Sequence, residues 1–473
     1  MKRLGWLVLV LASASCDALS YEASLFPTGN NDRNCVLNPG VCGADQLCDP
    51  VKKTCVSGGG KCVTSPDCVM SSGPVCSEGM CKPCDSTVMS TGDKQCSDWS
   101  TGRKEPILKA VCIAGTCMEC RVSADCKRPG LTVCDQAKNT CVGCTEDNQC
   151  PVSQICKKDD SVLATSDSAS NIGDCVAPDA VAYVNKNNGS CSDTAMDAGS
   201  STKPFCQIQK AISTGKSYIR VQAGTDYDPI LVGSAQRVII YGPGKDTASI
   251  LSAKVTGGAR LTLQDIGVKV SSTSPVLTAL VQCELGSYLT VRRALLSGLN
   301  GSTPTSQGGI IANQCQRVIV ERTKITGVAA NGIFITGGSD HFVVNNAIIG
   351  SGANSPALKA GLHIGPGVQS GVFAFNTLTN NLEGVFCETQ TVAITDSIVQ
   401  GNGGTNLNGC SNTARLVTTG AMIDTAFNAD PKITADVMTV TDKAMANQLV
   451  KEDYFGNPRP LGGGYDIGFH EFK

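Results

Sequence analysis

The feature that most constrains this chain is a nine-residue pattern of apolar residues that recurs seven times in the second half of the sequence. The copies begin at Arg237, Arg260, Tyr288, Arg317, His341, Gly371 and Thr391, at spacings of 23, 28, 29, 24, 30 and 20 residues. A repeat of this length cannot bury an apolar face alone, so successive repeats must stack. The pattern therefore predicts a solenoid.

A second series of short apolar segments lies between these copies and begins at Gly309, Gly332, Gly361 and Gly384. Two or three short strands per repeat, joined by turns of varied length, predict a parallel β-helix. Because side chains alternate along a strand, the residue after each glycine is expected to point inward and to stack from coil to coil. These residues are Ile310, Ile333, Leu362 and Val385. Asn346 and Asn376 share the position after the first strand, where asparagine tolerates left-handed backbone and can form a hydrogen-bonded ladder.

Both ends of this region carry segments seen in a known fold. Tyr183-Val-Asn and Pro204 to Ile212 look like an opening strand and a short amphipathic capping helix, and Asp453 to Arg459 with Tyr465 to Glu471 look like a closing segment. With the repeats, residues 180–473 resemble secreted bacterial right-handed parallel β-helix proteins of the pectate-lyase-like superfamily. The resemblance implies an all-β solenoid and does not specify an activity.

Cysteines dominate the region before the β-helix. Of the 27 cysteines, twenty fall in residues 35–175 as five blocks of four, with C-x-x-C at three of the joints between blocks. Such pairs suit disulfides, zinc or redox chemistry. Disulfides fit best, because a block of about 30 residues cannot bury enough apolar surface to fold alone. We expect small disulfide-rich modules with no metal or cofactor, and the sequence leaves three connectivities open in each block.

The remaining six cysteines of the β-helix region form three predicted bridges. Cys191 and Cys206 bracket the loop before the capping helix. Cys283 and Cys315 lie about one coil apart, as do Cys387 and Cys410.

The N-terminus predicts export. Lys2 and Arg3 precede an apolar stretch and small residues, which is typical of a signal peptide over residues 1–15. Ala14-Ser15-Cys16 resembles a bacterial lipobox, although Ser13 replaces the usual leucine, and lipidation of Cys16 would leave an even number of cysteines. Ordinary cleavage after Ala14 is the alternative. Residues 16–34 are predicted to be a tether. With a lipid on Cys16 the protein would be an outer-membrane or cell-surface lipoprotein, and with ordinary cleavage it would be secreted.

Charge limits the partners. The net charge of −2 provides no basic field for nucleic acid. No apolar run after residue 15 is long enough to span a bilayer. We expect no nucleic-acid partner, and membrane contact only through a lipid anchor.

Catalytic motifs of the superfamily are missing. The β-helix region contains no N-T-D, D-D or D-P-H motif, and no carboxylate cluster for Ca²⁺ can be assembled from it. The best constellation is Phe334, His363 and Phe386, which should stack on one outer face with Glu388 nearby. It could bind a sugar, or His363 could act as acid or base, or a loop could bury the stripe. Outward-pointing Ile319, Val343 and Phe373 on the other strands favour a covered face.

Two arginines form a second candidate. Arg293 and Arg322 should stack on successive coils with Arg292 nearby, where they could hold uronates or phosphate. The alternative is a solvated charged face.

These observations favour a surface-anchored or secreted binding or structural protein whose β-helix meets polysaccharide or surface proteins. The rival hypothesis is a lyase or glycoside hydrolase acting on acidic polysaccharide.

Overall fold

The structure, a computed structural model, describes residues 62–157 and 173–471 with short gaps, of which the longest are 271–276, 353–359, 425–431 and 434–439. It also describes two paired strands before this range, at Gln46–Asp49 and Thr54–Ser57. The predicted signal peptide over residues 1–15, Cys16, the predicted tether over residues 16–34, Cys35 and Cys42 lie outside the described residues. The chain divides into two compact units, residues 1–125 with 134–140 and residues 126–133 with 141–473. Among the described residues, no helix is both long and apolar enough to cross a membrane.

Four cysteine blocks share one connectivity, in which the first cysteine bonds the third and the second bonds the fourth. The bridges are Cys62–Cys76, Cys68–Cys81, Cys84–Cys112, Cys96–Cys117, Cys120–Cys134, Cys126–Cys141, Cys144–Cys156 and Cys150–Cys175. The two sulfurs of each C-x-x-C joint therefore belong to different modules, as predicted for disulfide-rich repeats.

Local structure explains this connectivity. The third and fourth cysteines of each block lie on the two strands of a short hairpin, and both bond back to earlier cysteines. The hairpin strands are Val75–Ser77 with Met80–Lys82, Val111–Ile113 with Thr116–Met118, Val133–Asp135 with Thr140–Val142, and Ile155–Cys156 with Cys175–Val176. A 3-10 turn precedes the second cysteine in three blocks, at Ser65–Asp67, Ser123–Asp125 and Asp147–Gln149. In the third block the helix Met89–Gly102 takes this place.

Bridges replace an apolar core in these modules. Trp99 is 2% exposed and packs among buried cystines, and its indole Nε1 donates a hydrogen bond to the Cys68 carbonyl at 2.8 Å.

From Val181 the chain winds into a parallel β-solenoid, which confirms the predicted fold class. Three parallel sheets, here called A, B and C, run along it. Sheet A comprises Val181–Asn185, the first half of Tyr218–Tyr227, Arg237–Tyr241, Arg260–Gln264, Tyr288–Arg292, Arg317–Glu321, His341–Val344, Gly371–Ala374, Ile394–Thr395 and Thr413–Ala414. Sheet B comprises the second half of Tyr218–Tyr227, Ala248–Ile250, Gly267–Lys269, Leu295–Ser297, Lys324–Thr326, Ala347–Ile349, Thr377–Thr379 and Ile398–Gln400. Sheet C comprises Ile230–Val232, Ala253–Val255, Leu277–Cys283, Ser306–Asn313, Ile333–Thr336, Ala360–Ile364, Glu383–Cys387 and Leu407–Asn408.

The nine-residue pattern thus encodes a strand of sheet A, a two-residue corner and a strand of sheet B. The second series of segments encodes sheet C. Its predicted inward residues are fully buried and stacked in register: Ile310, Ile333, Leu362 and Val385.

The backbone at the corner between sheets A and B adopts the left-handed conformation, but at the residue before the predicted one. Asn345 and Phe375 have φ of 54° and 57°, whereas the predicted Asn346 and Asn376 follow them. The predicted ladder does form, because the Asn346 Nδ2 donates to the Asn376 Oδ1 at 3.0 Å. The reason is geometric, since the corner residue turns the chain and the next side chain then points inward along the stack.

The register of sheet A corrects a second expectation. Val343 and Phe373 point into the solenoid, while Ile319 is paired with Phe342 and points outward. Aligning the repeats by sequence would pair Ile319 with Val343, but the strand His341–Val344 is shifted by one residue, so that Ile319 pairs with Phe342. A one-residue shift reverses which side chains face the core.

Two parts of the outer face of sheet A are covered. Over the first coils, Ile155 of the last cysteine module packs on Tyr183 and Ile239. Over later coils, Val450 of the closing segment, residues 440–471, packs on Phe342.

The opening end carries the helix Ile208–Ser213, which buries Ile208, Ala211 and Ile212 against the solenoid core. The remaining elements are the 3-10 helix Pro178–Ala180 and two small hairpins, Leu299–Asn300 with Thr303–Pro304 and Ile423–Asp424 with Lys432–Ile433.

Candidate functional site

The outer face of sheet C brings the predicted stripe together. Phe334, His363 and Phe386 occupy one row on three successive coils, because each lies between inward-pointing residues of its strand. The His363 ring centroid is 4.3 Å from that of Phe334 and 4.8 Å from that of Phe386. Both phenyl rings are partly exposed, so the stripe is neither fully covered nor fully open.

His363 is buried between these rings, with 2% of its surface exposed. Its Nε2 is 2.7 Å from the Glu388 Oε1, and the Glu388 side chain is 34% exposed. Its Nδ1 is buried and makes no hydrogen bond to any residue that the structure describes. A buried polar atom of this kind is costly unless water or a ligand group satisfies it.

Burial lowers the pKa of His363, and the hydrogen bond and negative charge of Glu388 oppose that shift. Glu383 contributes a further negative charge and accepts a hydrogen bond from the Asn408 Nδ2. One imidazole therefore lies beside two carboxylates, of which sequence reasoning identified only Glu388. Glu383 was missed because its position four residues before Cys387 carries no motif.

Arg293 and Arg322 occupy successive left-handed corners, with φ of 46° and 51°. Arg293 pairs with Asp265 through two contacts, Nε to Oδ1 at 2.8 Å and Nη2 to Oδ2 at 3.0 Å. Arg322 pairs through Nη1 with Glu452 Oε2 at 2.5 Å. Arg292 is buried, and its Nε lies 3.3 Å from the Glu321 Oε2.

These two arginines line a cleft of about 640 Å³. Sequence reasoning missed the other charged residues that line this cleft and the aromatic Phe455; the charged ones are Glu146, Lys157, Arg220, Asp265 and Glu452. They come from the last cysteine module, two early coils and the closing segment, so no local pattern could reveal them. The Phe334–His363–Phe386 stripe lies on sheet C and does not line the cleft.

The three bridges predicted for the β-helix region are present in the structure, one across the loop before the capping helix and two between cysteines about one coil apart. The structure joins Cys191 to Cys206, Cys283 to Cys315 and Cys387 to Cys410.

A family model described as a right handed beta helix region matches residues 281–424. The matched segment lies within the solenoid and includes the whole sheet C stripe. No curated protein matches the chain closely enough to count as a relative. The comparisons thus support the fold and carry no activity.

Proposed function

We propose that this chain is an exported binding protein whose β-helix recognises polysaccharide along the outer face of sheet C. The observation that carries the proposal is the row of two partly exposed phenyl rings on either side of His363, which is hydrogen-bonded to Glu388. Aromatic faces bury the apolar face of a sugar ring, and a few fixed polar groups set its orientation.

Repetition along the solenoid supports a polymeric ligand. Neighbouring strands in a sheet are about 4.8 Å apart. The row therefore presents contact points at regular intervals along the long axis, which suits a chain of similar units better than a single small molecule.

The sequence supplies the cellular setting of this proposal. The signal-peptide pattern and Cys16 favour a lipid-anchored surface protein, with secretion as the alternative. The disulfide-rich modules would then lie along the chain between the membrane anchor and the β-helix. Polysaccharide or surface proteins are the expected partners.

Binding of the mature chain to immobilised polygalacturonate, alginate and neutral glucans tests the proposal. Phe386→Ala should weaken binding to the preferred polymer by about fivefold, since an aromatic contact contributes about 1 kcal/mol. Leu231→Ala is a matched control, because Leu231 is 50% exposed and lies on the same outer face six coils before Phe386, away from the Phe334–His363–Phe386 stripe. Equal binding by both variants, or no binding to any polymer, would contradict the proposal.

An enzyme acting on acidic polysaccharide is the second candidate, and the His363–Glu388 contact favours it. A histidine paired with a carboxylate can move a proton during elimination or hydrolysis. Release of unsaturated or reducing ends from polygalacturonate or alginate, with loss of that activity in His363→Ala, would replace binding with catalysis as the primary function. Absence of product at high protein concentration would leave binding as the primary function.

A further inference from the structure

A cleft lies at the corner of sheets A and B, and the sheet C stripe does not line it. Its floor is formed by four successive corners of the solenoid, at Gly242, Asp265, Arg293 and Arg322. One wall comes from the last cysteine module and the other from the closing segment. The lining residues that matter are Lys157, Arg220, Arg293, Arg322, Glu452 and Phe455. A volume of about 640 Å³ lies within the range of small-molecule sites.

Charged side chains in the cleft are held in place before any ligand arrives. Arg220 donates through Nη1 to the Gly242 carbonyl at 2.8 Å, and its Nη2 lies 2.6 Å from the Asp147 Oδ2. The pairs of Arg293 with Asp265 and Arg322 with Glu452 fix two more guanidinium groups. Fixed groups lose little side-chain entropy when they bind a ligand.

Backbone packing fixes Arg322 further. Gly456 has φ of 88°, and a Cβ there would lie 2.6 Å from the Arg322 Nη2. The Arg322 Nε also donates to the Tyr454 carbonyl at 3.3 Å. The closing segment thus holds this guanidinium against the floor of the cleft.

The charges of the cleft balance, and this indicates the class of ligand. Four cationic side chains line it, and three carboxylates, Glu146, Asp265 and Glu452, line it with them. Asp147, the partner of Arg220, supplies a fourth carboxylate. An anionic ligand would gain little from a region with no net charge, and it would meet the carboxylates that hold the arginines. A neutral polyhydroxylated ligand can use both the donors and the acceptors.

One aromatic ring completes the site. Phe455 is 40% exposed and lines the cleft, while its ring lies 5.1 Å from those of both Tyr454 and His470. A ring supported from behind and open on the cleft side can pack against the apolar face of a sugar.

We infer that this cleft binds a neutral saccharide unit, with Phe455 against one face of the sugar and the arginine–carboxylate pairs on its hydroxyl groups. The inference does not depend on the function proposed for sheet C. The expectation from the sequence that Arg293 and Arg322 hold uronates or phosphate is tested by the same experiment.

Ligand-observed NMR on the full mature chain tests this site, with neutral di- to tetrasaccharides of glucose, galactose or mannose as probes and the matching uronic acids for comparison. At least one neutral probe should bind, with an affinity that changes little between low and high salt, because no ion pair with the ligand is formed. Phe455→Leu should weaken that binding by about fivefold, and Phe455→Tyr should preserve it. Thermal unfolding of each variant checks that the fold is intact.

A second variant avoids dependence on the ring. Glu452→Gln, at a side chain that is 48% exposed, replaces a charged hydrogen-bond acceptor with a neutral amide and should also weaken binding of the neutral sugar. Phe386→Ala, on sheet C, should leave it unchanged. The inference is overturned if no neutral probe binds, if only uronates bind and salt abolishes their binding, or if Phe455→Leu and Glu452→Gln both bind like the parent chain.

Discussion

Replacing Asn376 with alanine is expected to destabilise the solenoid strongly, because this side chain is a member of a buried amide ladder. Asn376 is 1% exposed. Its Nδ2 donates to the Val343 carbonyl at 2.8 Å. Its Oδ1 accepts from both the backbone N–H and the Nδ2 of Asn346, at 3.1 and 3.0 Å.

The expected cost follows from the partners that remain after the substitution. Alanine leaves the Asn346 N–H without its side-chain acceptor in a site that excludes water, and one N–H of the Asn346 amide loses its acceptor as well. Each buried group left unsatisfied costs about 1–3 kcal/mol, so the substitution should cost about 3–5 kcal/mol. A small cavity adds to this cost.

Urea unfolding, with hydrogen exchange read separately for the coils at residues 341–349 and 371–379, measures the effect. Asn313→Ala is the matched control, because Asn313 is exposed and its amide accepts a hydrogen bond from Thr336 at 3.2 Å. The control should change stability by no more than about 0.5 kcal/mol. If Asn376→Ala costs as little as the control, the buried amide ladder does not stabilise the solenoid.

Three further predictions concern stability. Burial lowers the pKa of His341, and the Nδ1 of its neutral ring accepts a hydrogen bond from the Val318 N–H. The stability that the neutral ring contributes is therefore complete above about pH 6.5 and is lost as the pH falls through the lower pKa of the folded state. Thermal melts at several pH values should show this loss, and His341→Asn should reduce it. Arg459→Met should lower the free energy of unfolding by about 3–5 kcal/mol, because it leaves the buried Glu471 carboxylate without its ion-pair partner. The double variant with Glu471→Met should recover much of that loss, and equal losses of stability in the single and double variants would contradict this expectation. Ile155→Ala should lower the free energy of unfolding of the solenoid by about 2–4 kcal/mol, because Ile155 is 1% exposed and packs on the outer face of sheet A. An unchanged thermal melt would show that the last cysteine module does not stabilise the solenoid through this contact.

The two candidate sites differ in how they are built, and this affects what mutations can reveal. The sheet C stripe repeats along one face, so removing one ring should weaken binding without abolishing it. The corner cleft depends on three separate parts of the chain. A change in the closing segment, such as at Glu452, therefore tests whether the cleft acts as one site.

Much of the solenoid was determined by the sequence alone. Periodic apolar residues identified its strands, because each coil repeats the same inward positions, and coil spacing brought Cys283 near Cys315. Alternation along sheet C was enough to place Phe334, His363 and Phe386 in one row. Register in sheet A could not be read in the same way, since a one-residue difference in turn length moved Val343 from the outer face to the core.

Tertiary structure alone decided the disulfide connectivity within the modules and the composition of the cleft. Four cysteines permit three pairings at any spacing, and only the hairpins and turns bring the first near the third. The cleft joins Lys157, Arg293 and Phe455, which are far apart in sequence and share no motif. Local patterns record which side of a strand faces the core, whereas contacts between distant segments depend on how the solenoid, the last module and the closing segment pack together.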